Sequence, residues 1–275
     1  MNTEIRIAKE QDIPALCDIW KSCFLDSEEY INYFYDENFE RIESYILTVD
    51  KKPVSMVNML PASFKNNNDF QPAKFIYAAG TLPAYRGKGY MGKIIRFTKS
   101  EAKKHEYALF LKPSSASLTE FYQSFGFKIN SYFQLVSLLP SEKQTLLVSD
   151  ISCTEYNSLR NAAFCDTPYV KWSDEHIHWC IEENEYFSGK TLKFEFEDKD
   201  YFLLGYPEEN TLIINETNLS LNQLKHLSGA LCNVFGTEHI KAYMPDASCC
   251  EGERIISSVV YNTSICNTYV NLILI

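Results

Sequence analysis

GTLPAYRGKGYMGKIIRFTKSEAKKH, residues 80–105, is the stretch on which the fold turns. An apolar run, FIYAAGTL (75–82), ends at Leu82-Pro83. A Tyr-Arg-Gly-Lys-Gly turn follows, and helical spacing opens directly after it, over 92–105. A strand that hands over to a helix through a glycine turn builds an anion site. The first N–H groups of the helix have no internal partners, and the helix dipole favours negative charge there. Gly87 and Gly89 carry no side chain, so phosphates can come close to the backbone. Arg86 and Lys88 add positive charge at the same place, with Lys93 and Arg96 available for a further phosphate. The pattern is not a Walker loop, because no Gly-Lys-Ser or Gly-Lys-Thr follows. Nor is it the dinucleotide fingerprint, which needs three glycines at another spacing.

Working outward, TEIRIAKEQDIP predicts a strand over 5–8, then a helix capped by Asp12 with Pro14 in its first turn. DSEEYINYFYDENF predicts a second helix, capped near Ser27, with a ridge of Tyr30, Tyr33 and Phe34. ESYILTVDKKPVSMVNML predicts a hairpin turning at 50–53. Residues 62–74 read as a polar loop. YALFLK (107–112) reads as a strand, SLTEFYQSFGF as a short helix ending at Gly126, and NSYFQLVSLLP as a further strand. Residues 140–145 are a polar linker, and the element order is then partly echoed. Two helices, two or three strands with a turn at 207–210, a helix ending at Gly236 and a strand at HIKAYM follow; YVNLILI reads as the closing strand.

The composition sets limits. With 275 residues, 45% apolar, the chain is long enough for two modest cores. A net charge of −10 argues against a general nucleic-acid or anionic-membrane binder and mildly favours a cationic small substrate. The start is not a signal peptide, and no run approaches the length of a membrane span. Nine cysteines at spacings that fit no zinc or CxxC pattern predict reduced, mostly buried thiols in a cytoplasmic protein, with Cys249-Cys250 a redox or soft-metal candidate. His176 and His178 carry no further ligand pattern, so no metal is expected.

LPAYRGKGYMGK resembles the acetyl-CoA signature [Q/R]-x-x-G-x-[G/A] of the GCN5-related N-acetyltransferases (GNAT), with Arg86 and Gly89 at its first two fixed positions. Met91 stands where Gly or Ala is usual, with Gly92 next, as in the enhanced-intracellular-survival branch. LTEFYQSFGF resembles the family's second landmark, a Tyr (here Tyr122) four residues ahead of the Gly of a Gly-Phe pair. The resemblance implies an α/β (α+β) GNAT fold over 1–140, with a mixed sheet whose strands four and five splay apart, and a second, degenerate GNAT-like domain over 146–275. It also implies acetyl-CoA as cosubstrate and no metal. Cofactor contacts would come from Ala79, Gly80 and Thr81 on strand four, from Arg86, Gly87, Lys88, Gly89, Tyr90, Met91 and Gly92 at the turn, and from Ser117.

The activity so implied is transfer of an acetyl group to an amine by direct attack, with Tyr122 as general acid, in a monomer or homo-oligomer. A non-catalytic CoA-binding module is the alternative. Strand four carries no carboxylate to serve as base; Asp26, Glu29 and Asp36 are the nearest candidates in sequence, and Tyr30, Tyr33 and Phe34 could wall the acceptor pocket. In the survival-type branch the terminal carboxylate serves as base, a role not carried over to Ile275, because YVNLILI reads as a closing strand.

Overall fold

The computed structural model describes residues 2–66, 69–142, 145–246 and 251–272. They pack as two compact units that interleave along the chain. Residues 1–63, 71–128 and 259–264 make the first; residues 64–70, 129–258 and 265–275 make the second. Packing therefore does not follow a single cut, and a division at 140–146 stays a proposal about how the chain is built.

The first unit contains β1 (Thr3–Ile7), α1 (Ile13–Cys23), α2 (Glu28–Asn38), β2 (Glu43–Val49), β3 (Lys52–Asn66), β4 (Asp69–Thr81), α3 (Tyr90–Lys104), β5 (Ala108–Leu111) and α4 (Ala116–Ser124). Its strands run in the order β1-β2-β3-β4-β5, and 259–261 then pair antiparallel with β5. Neighbours are antiparallel from β1 through β3, whereas β4 and β5 are parallel. Asp50 and Lys51 have φ of 48° and 71°, the left-handed pair that joins two twisted strands tightly, so the expected β2–β3 hairpin forms. Ser27 caps α2 through the Tyr30 N–H at 3.1 Å. Asp12 stands at the N-cap of α1 but does not cap it. Its carboxylate accepts from the Lys9 N–H (2.8 Å) and takes both guanidinium nitrogens of Arg6 (2.6 and 2.9 Å), the stronger charge-assisted choice.

The second unit contains β6 (Lys128–Leu138), β7 (Val148–Asp150), α5 (Cys153–Ala163), β8 (Tyr169–Lys171), α6 (Asp174–Tyr186), β9 (Lys190–Phe196), β10 (Lys199–Glu208), β11 (Thr211–Thr217), α7 (Leu221–Phe235), β12 (His239–Pro245) and most of β13 (Glu253–Tyr261). The strand order β6-β12-β11-β10-β9-β7 includes one parallel neighbour pair, β11 with β12. Leu224, Leu227 and Leu231, one stripe of α7, pack with Leu203, Leu212, Ile214 and Ile240 of the sheet in one buried cluster. Fully burying each such side chain contributes on the order of 1.5–3 kcal/mol.

Several expectations give way. The polar run 62–74 is mostly strand, shared by β3 and β4; its side chains are largely half-buried or exposed, so no apolar alternation marked it. Residues 253–261 form β13, hidden in the sequence because Ser257 and Ser258 occupy fully buried positions where an apolar pair would signal a strand. The described part of YVNLILI makes only an isolated bridge, Tyr269 to Tyr169. Of the seven described cysteines only Cys180 and Cys232 are buried, because the others sit on half-exposed helix faces and in connections. Cys249, Cys250 and Ile275 lie outside the described residues.

Candidate active site

β4 and β5 are paired only over Ala73–Phe75 with Ala108–Phe110, although β4 continues to Thr81. Ala78 has φ of 46°, a left-handed backbone that costs a non-glycine residue on the order of 1 kcal/mol and marks a bulge. Tyr77 packs edge-on against Trp20 of α1 (5.4 Å), and Gly80 also faces α1, where a Cβ would come 3.0 Å from Cys23 Sγ. In an unbroken strand, residues three apart point to opposite faces. Here both face α1, so the alternation is broken at Ala78, three residues beyond the last residue of β4 that pairs with β5. Past the bulge β4 is held from its other side. Leu82 N–H donates to the Val54 carbonyl (2.9 Å), and Ser55 Oγ donates to the Gly80 carbonyl (3.0 Å).

The strand ends at a short 3-10 turn, Pro83–Tyr85, and the glycine turn comes next. Gly87 and Gly89 have φ of 73° and 75°, and a Cβ on either would point into open space. Gly89 is the N-cap of α3 with no side-chain cap, and the first intrahelical bond runs from Lys93 N–H to the Gly89 carbonyl (3.1 Å). The N–H groups of Tyr90, Met91 and Gly92 therefore have no partner within the helix, beside an uncrowded backbone: a cradle suited to a diphosphate. Lys88 and Lys93 are exposed beside it. Arg86 is used differently. Its Nε donates to the Thr81 carbonyl (3.0 Å) and Nη2 reaches Cys23 Sγ (3.6 Å), so the guanidinium fastens the end of β4, and the main chain of residue 86 stays at the turn. Gly92 also departs from simple cradle logic, because the space its side chain would take belongs to Phe125.

Tyr122 lies in α4 with its ring buried, edge-on to Phe127 (5.5 Å) and Phe121 (5.2 Å). Among the described residues its hydroxyl has no hydrogen-bond partner. Burial pushes its phenol up to about 12, so it carries its proton across the neutral range. Ser115 caps α4 through the Leu118 N–H (3.2 Å). Ser117, exposed, exchanges a hydrogen bond with Ser115 (3.0 Å) in the first turn.

The acceptor-wall candidates divide. Tyr30 and Phe34 are core residues around Trp20; Tyr33 is half-buried. Asp26 accepts from Trp20 Nε1 at 2.7 Å, a structural bond, while Glu29 and Asp36 are solvated helix-face charges. His176 stacks on Trp172, and His178 stands 3.2 Å from Glu182. Among the described residues no cluster of metal-ligating side chains occurs, and no helix is long and apolar enough to cross a membrane. Sequence reasoning missed Cys23 and Ser55, which hold Gly80 and Thr81; a serine and a cysteine distant in sequence carry no spacing signal for that role.

Residues 4–130 match the acetyltransferase (GNAT) domain family. That stretch belongs to the GNAT acetyltransferases. The whole chain has the fold of solved relatives at low identity. A probable N-acyltransferase from Enterococcus faecalis V583 superposes with TM-score 0.74 at 14% identity, covering 94% of this chain and 72% of that one. A GCN5-related N-acetyltransferase from Anabaena variabilis gives TM-score 0.73 at 15% identity, covering 97% and 74%. Eis1 from Mycobacterium abscessus, of the survival type, gives 0.64 at 10%, covering 94% and 73%. Among curated proteins none matches the sequence. The family match covers residues 4–130, the part of the chain that carries the parallel β4–β5 pair and the glycine turn, and it supports acyl transfer by that part.

Proposed function

We propose that the first unit moves an acetyl group from acetyl-CoA to a primary amine, a small cationic amine such as an aminoglycoside or polyamine, or a peptide amine. One observation carries this reading: the gap that opens beyond Phe75 leads into the uncapped amides at the start of α3. A pantetheine arm fits the first as a surrogate strand, and a diphosphate fits the second. N–H groups of 79–81 are then available to the thioester carbonyl. The neutral amine attacks that carbon, the C–N bond forms and the C–S bond breaks. The departing thiolate takes its proton from Tyr122, and the nitrogen releases its own to water. The seven described cysteines are all free, which supports a reducing, cytoplasmic setting.

A second reading, a CoA-binding sensor without turnover, draws on β4 itself, because residues 75–81 bring no carboxylate to the gap. Calorimetric titration with acetyl-CoA, followed by thiol release on an amine panel, separates the two. Binding with release that Tyr122→Phe abolishes is the expected result. Binding without release on any amine selects the sensor, and absence of binding overturns both.

A further inference from the structure

The Tyr122 hydroxyl has no hydrogen-bond partner of its own among the described residues, so its place is set through its backbone and ring. Both lead to one stripe of α3. Gly92, Arg96 and Lys99 stand at i, i+4 and i+7 and share a helix face. A Cβ on Gly92 would lie 3.0 Å from Phe125 Cζ and 3.5 Å from Cε1, so the absent side chain is the seat of that ring. The Arg96 guanidinium lies 5.5 Å from the centre of the same ring. Lys99 Nζ donates to the Phe125 carbonyl and stands 4.4 Å from the centre of the Tyr261 ring.

Two routes run from these contacts to Tyr122. The N–H groups of Phe125 and Phe127 both donate to the Tyr122 carbonyl, at 3.0 and 3.2 Å. Tyr261 packs on Phe127 (5.6 Å), which meets the Tyr122 ring edge-on. Lys99 touches the start of both routes, and the helix that carries it begins at the glycine turn. Gly92 thus differs from Gly87 and Gly89, whose missing side chains face open space.

We propose that Gly92, Arg96 and Lys99 are positioning residues, which fix Tyr122 relative to the free amides of residues 90–92, so that a thioester whose diphosphate is gripped at the start of α3 meets its proton donor in register. The proposal rests on the acyl-transfer reading.

The test uses the full chain with Gly92→Ala and, since that variant risks misfolding, Lys99→Met as well. Each is made alone and in a Tyr122→Phe background, and in a form carrying fluorotyrosine at position 122. Misplacing a catalytic group by about 1 Å costs on the order of a hundredfold in rate, so kcat should fall by roughly ten- to a hundredfold while the acetyl-CoA dissociation constant moves by less than about threefold. In the Tyr122→Phe background the same substitutions should change kcat by less than about twofold, because the group they position is gone. The fluorine resonance of residue 122 should shift without any ligand present. A kcat loss of the same size in the Tyr122→Phe background, a loss confined to acetyl-CoA affinity, or an unmoved resonance overturns the proposal. If the unsubstituted protein shows no affinity for acetyl-CoA, the acyl-transfer reading fails by that result, and the resonance still decides whether the stripe holds Tyr122.

Discussion

Two strand–turn–helix passages in this chain are built alike and finished differently. In the first unit β4 pairs parallel with β5, stops pairing at Phe75 and leads into α3; in the second β11 pairs parallel with β12, stops at Ile214 and leads into α7. Each first strand is bulged, at Ala78 by its positive φ and in β11 by a register shift that leaves Asn215 unmatched between Ile214 and Glu216. The two diverge beyond the bulge. β4 continues as Ala79-Gly80, and α3 starts on an uncapped glycine. β11 continues as Glu216, a fully buried carboxylate held by Arg160 Nε (3.1 and 3.0 Å) and the Tyr156 hydroxyl (2.7 Å), and Asn271 Nδ2 donates to the Asn215 carbonyl. α7 starts on Ser220, which accepts from Gln223 N–H, while the Gln223 side chain accepts from Ser220 N–H. The thioester carrier of the proposed function would therefore rely on what the first passage leaves out. The same scaffold, with its gap and helix start satisfied internally, becomes a structural element.

The largest effect should come from reopening the satisfied passage. Arg160→Met leaves Glu216 charged and buried without its cation, which costs on the order of 3–5 kcal/mol. Urea unfolding should show that loss. Arg86→Met, which removes an exposed guanidinium from the Thr81 carbonyl, should cost less than about 1 kcal/mol. Equal losses would mean that the two passages are not differently finished.

Next come the two tyrosines. Tyr122→Phe should lower kcat by about a hundredfold or more, the scale of a lost general acid, and leave stability within about 0.5 kcal/mol, since the hydroxyl gives up no protein partner. Tyr156→Phe should do the reverse. It removes a donor from a buried carboxylate, costing on the order of 1.5–3 kcal/mol, with turnover per folded molecule unchanged. Paired unfolding and initial-rate measurements on both variants check the exchange of roles.

Smaller still is the swap of helix starts. Gly89→Ala meets no neighbour, so only its left-handed backbone resists, at about 1–2 kcal/mol. Relaxation of the turn should weaken acetyl-CoA binding by roughly tenfold. Ser220→Ala should cost about 1 kcal/mol of stability and leave acetyl-CoA affinity untouched. A loss of affinity in Ser220→Ala would break the comparison.

The sequence disclosed the open passage better than the closed one, for a physical reason. Gly87 and Gly89 are required by positive φ and Tyr122 stands at a fixed distance from a Gly-Phe pair, so an open site concentrates its signal in a few constrained positions. The bulge was not legible, because alanine is no marker of the left-handed backbone that Ala78 adopts. The closing of the second passage was equally hidden. Arg160 and Glu216 are 56 residues apart, and each alone reads as a solvated charge. β13 was concealed by serines in a buried strand, and the interleaving of the two units is a matter of long-range pairing that local pattern does not encode.

The smallest effect concerns pH and bears on both tyrosines at once. Burial pushes Tyr122 up to about 12, and it pushes Tyr156 well above the ordinary phenol value, with the Glu216 charge adding to the shift. A phenol whose folded pKa exceeds its unfolded value of about 10 favours the fold fully below that unfolded value. The contribution is lost as pH rises through the folded value, so for Tyr122 the window runs from about 10 to about 12. Each tyrosine should therefore withdraw only about 0.4 kcal/mol of stability by pH 10. Tyr122 should stay a competent acid throughout the range in which amine substrates lose their protons, and kcat should show no falling limb from a phenol between pH 7 and pH 10. Rates over that range, with urea midpoints at pH 9, 10 and 11, check both halves. A falling limb centred near pH 10 that Tyr122→Phe removes would show the phenol to be hydrated. The first passage would then be open at its acid as well as at its amides, and the contrast between a solvated cradle and a buried proton donor would fail.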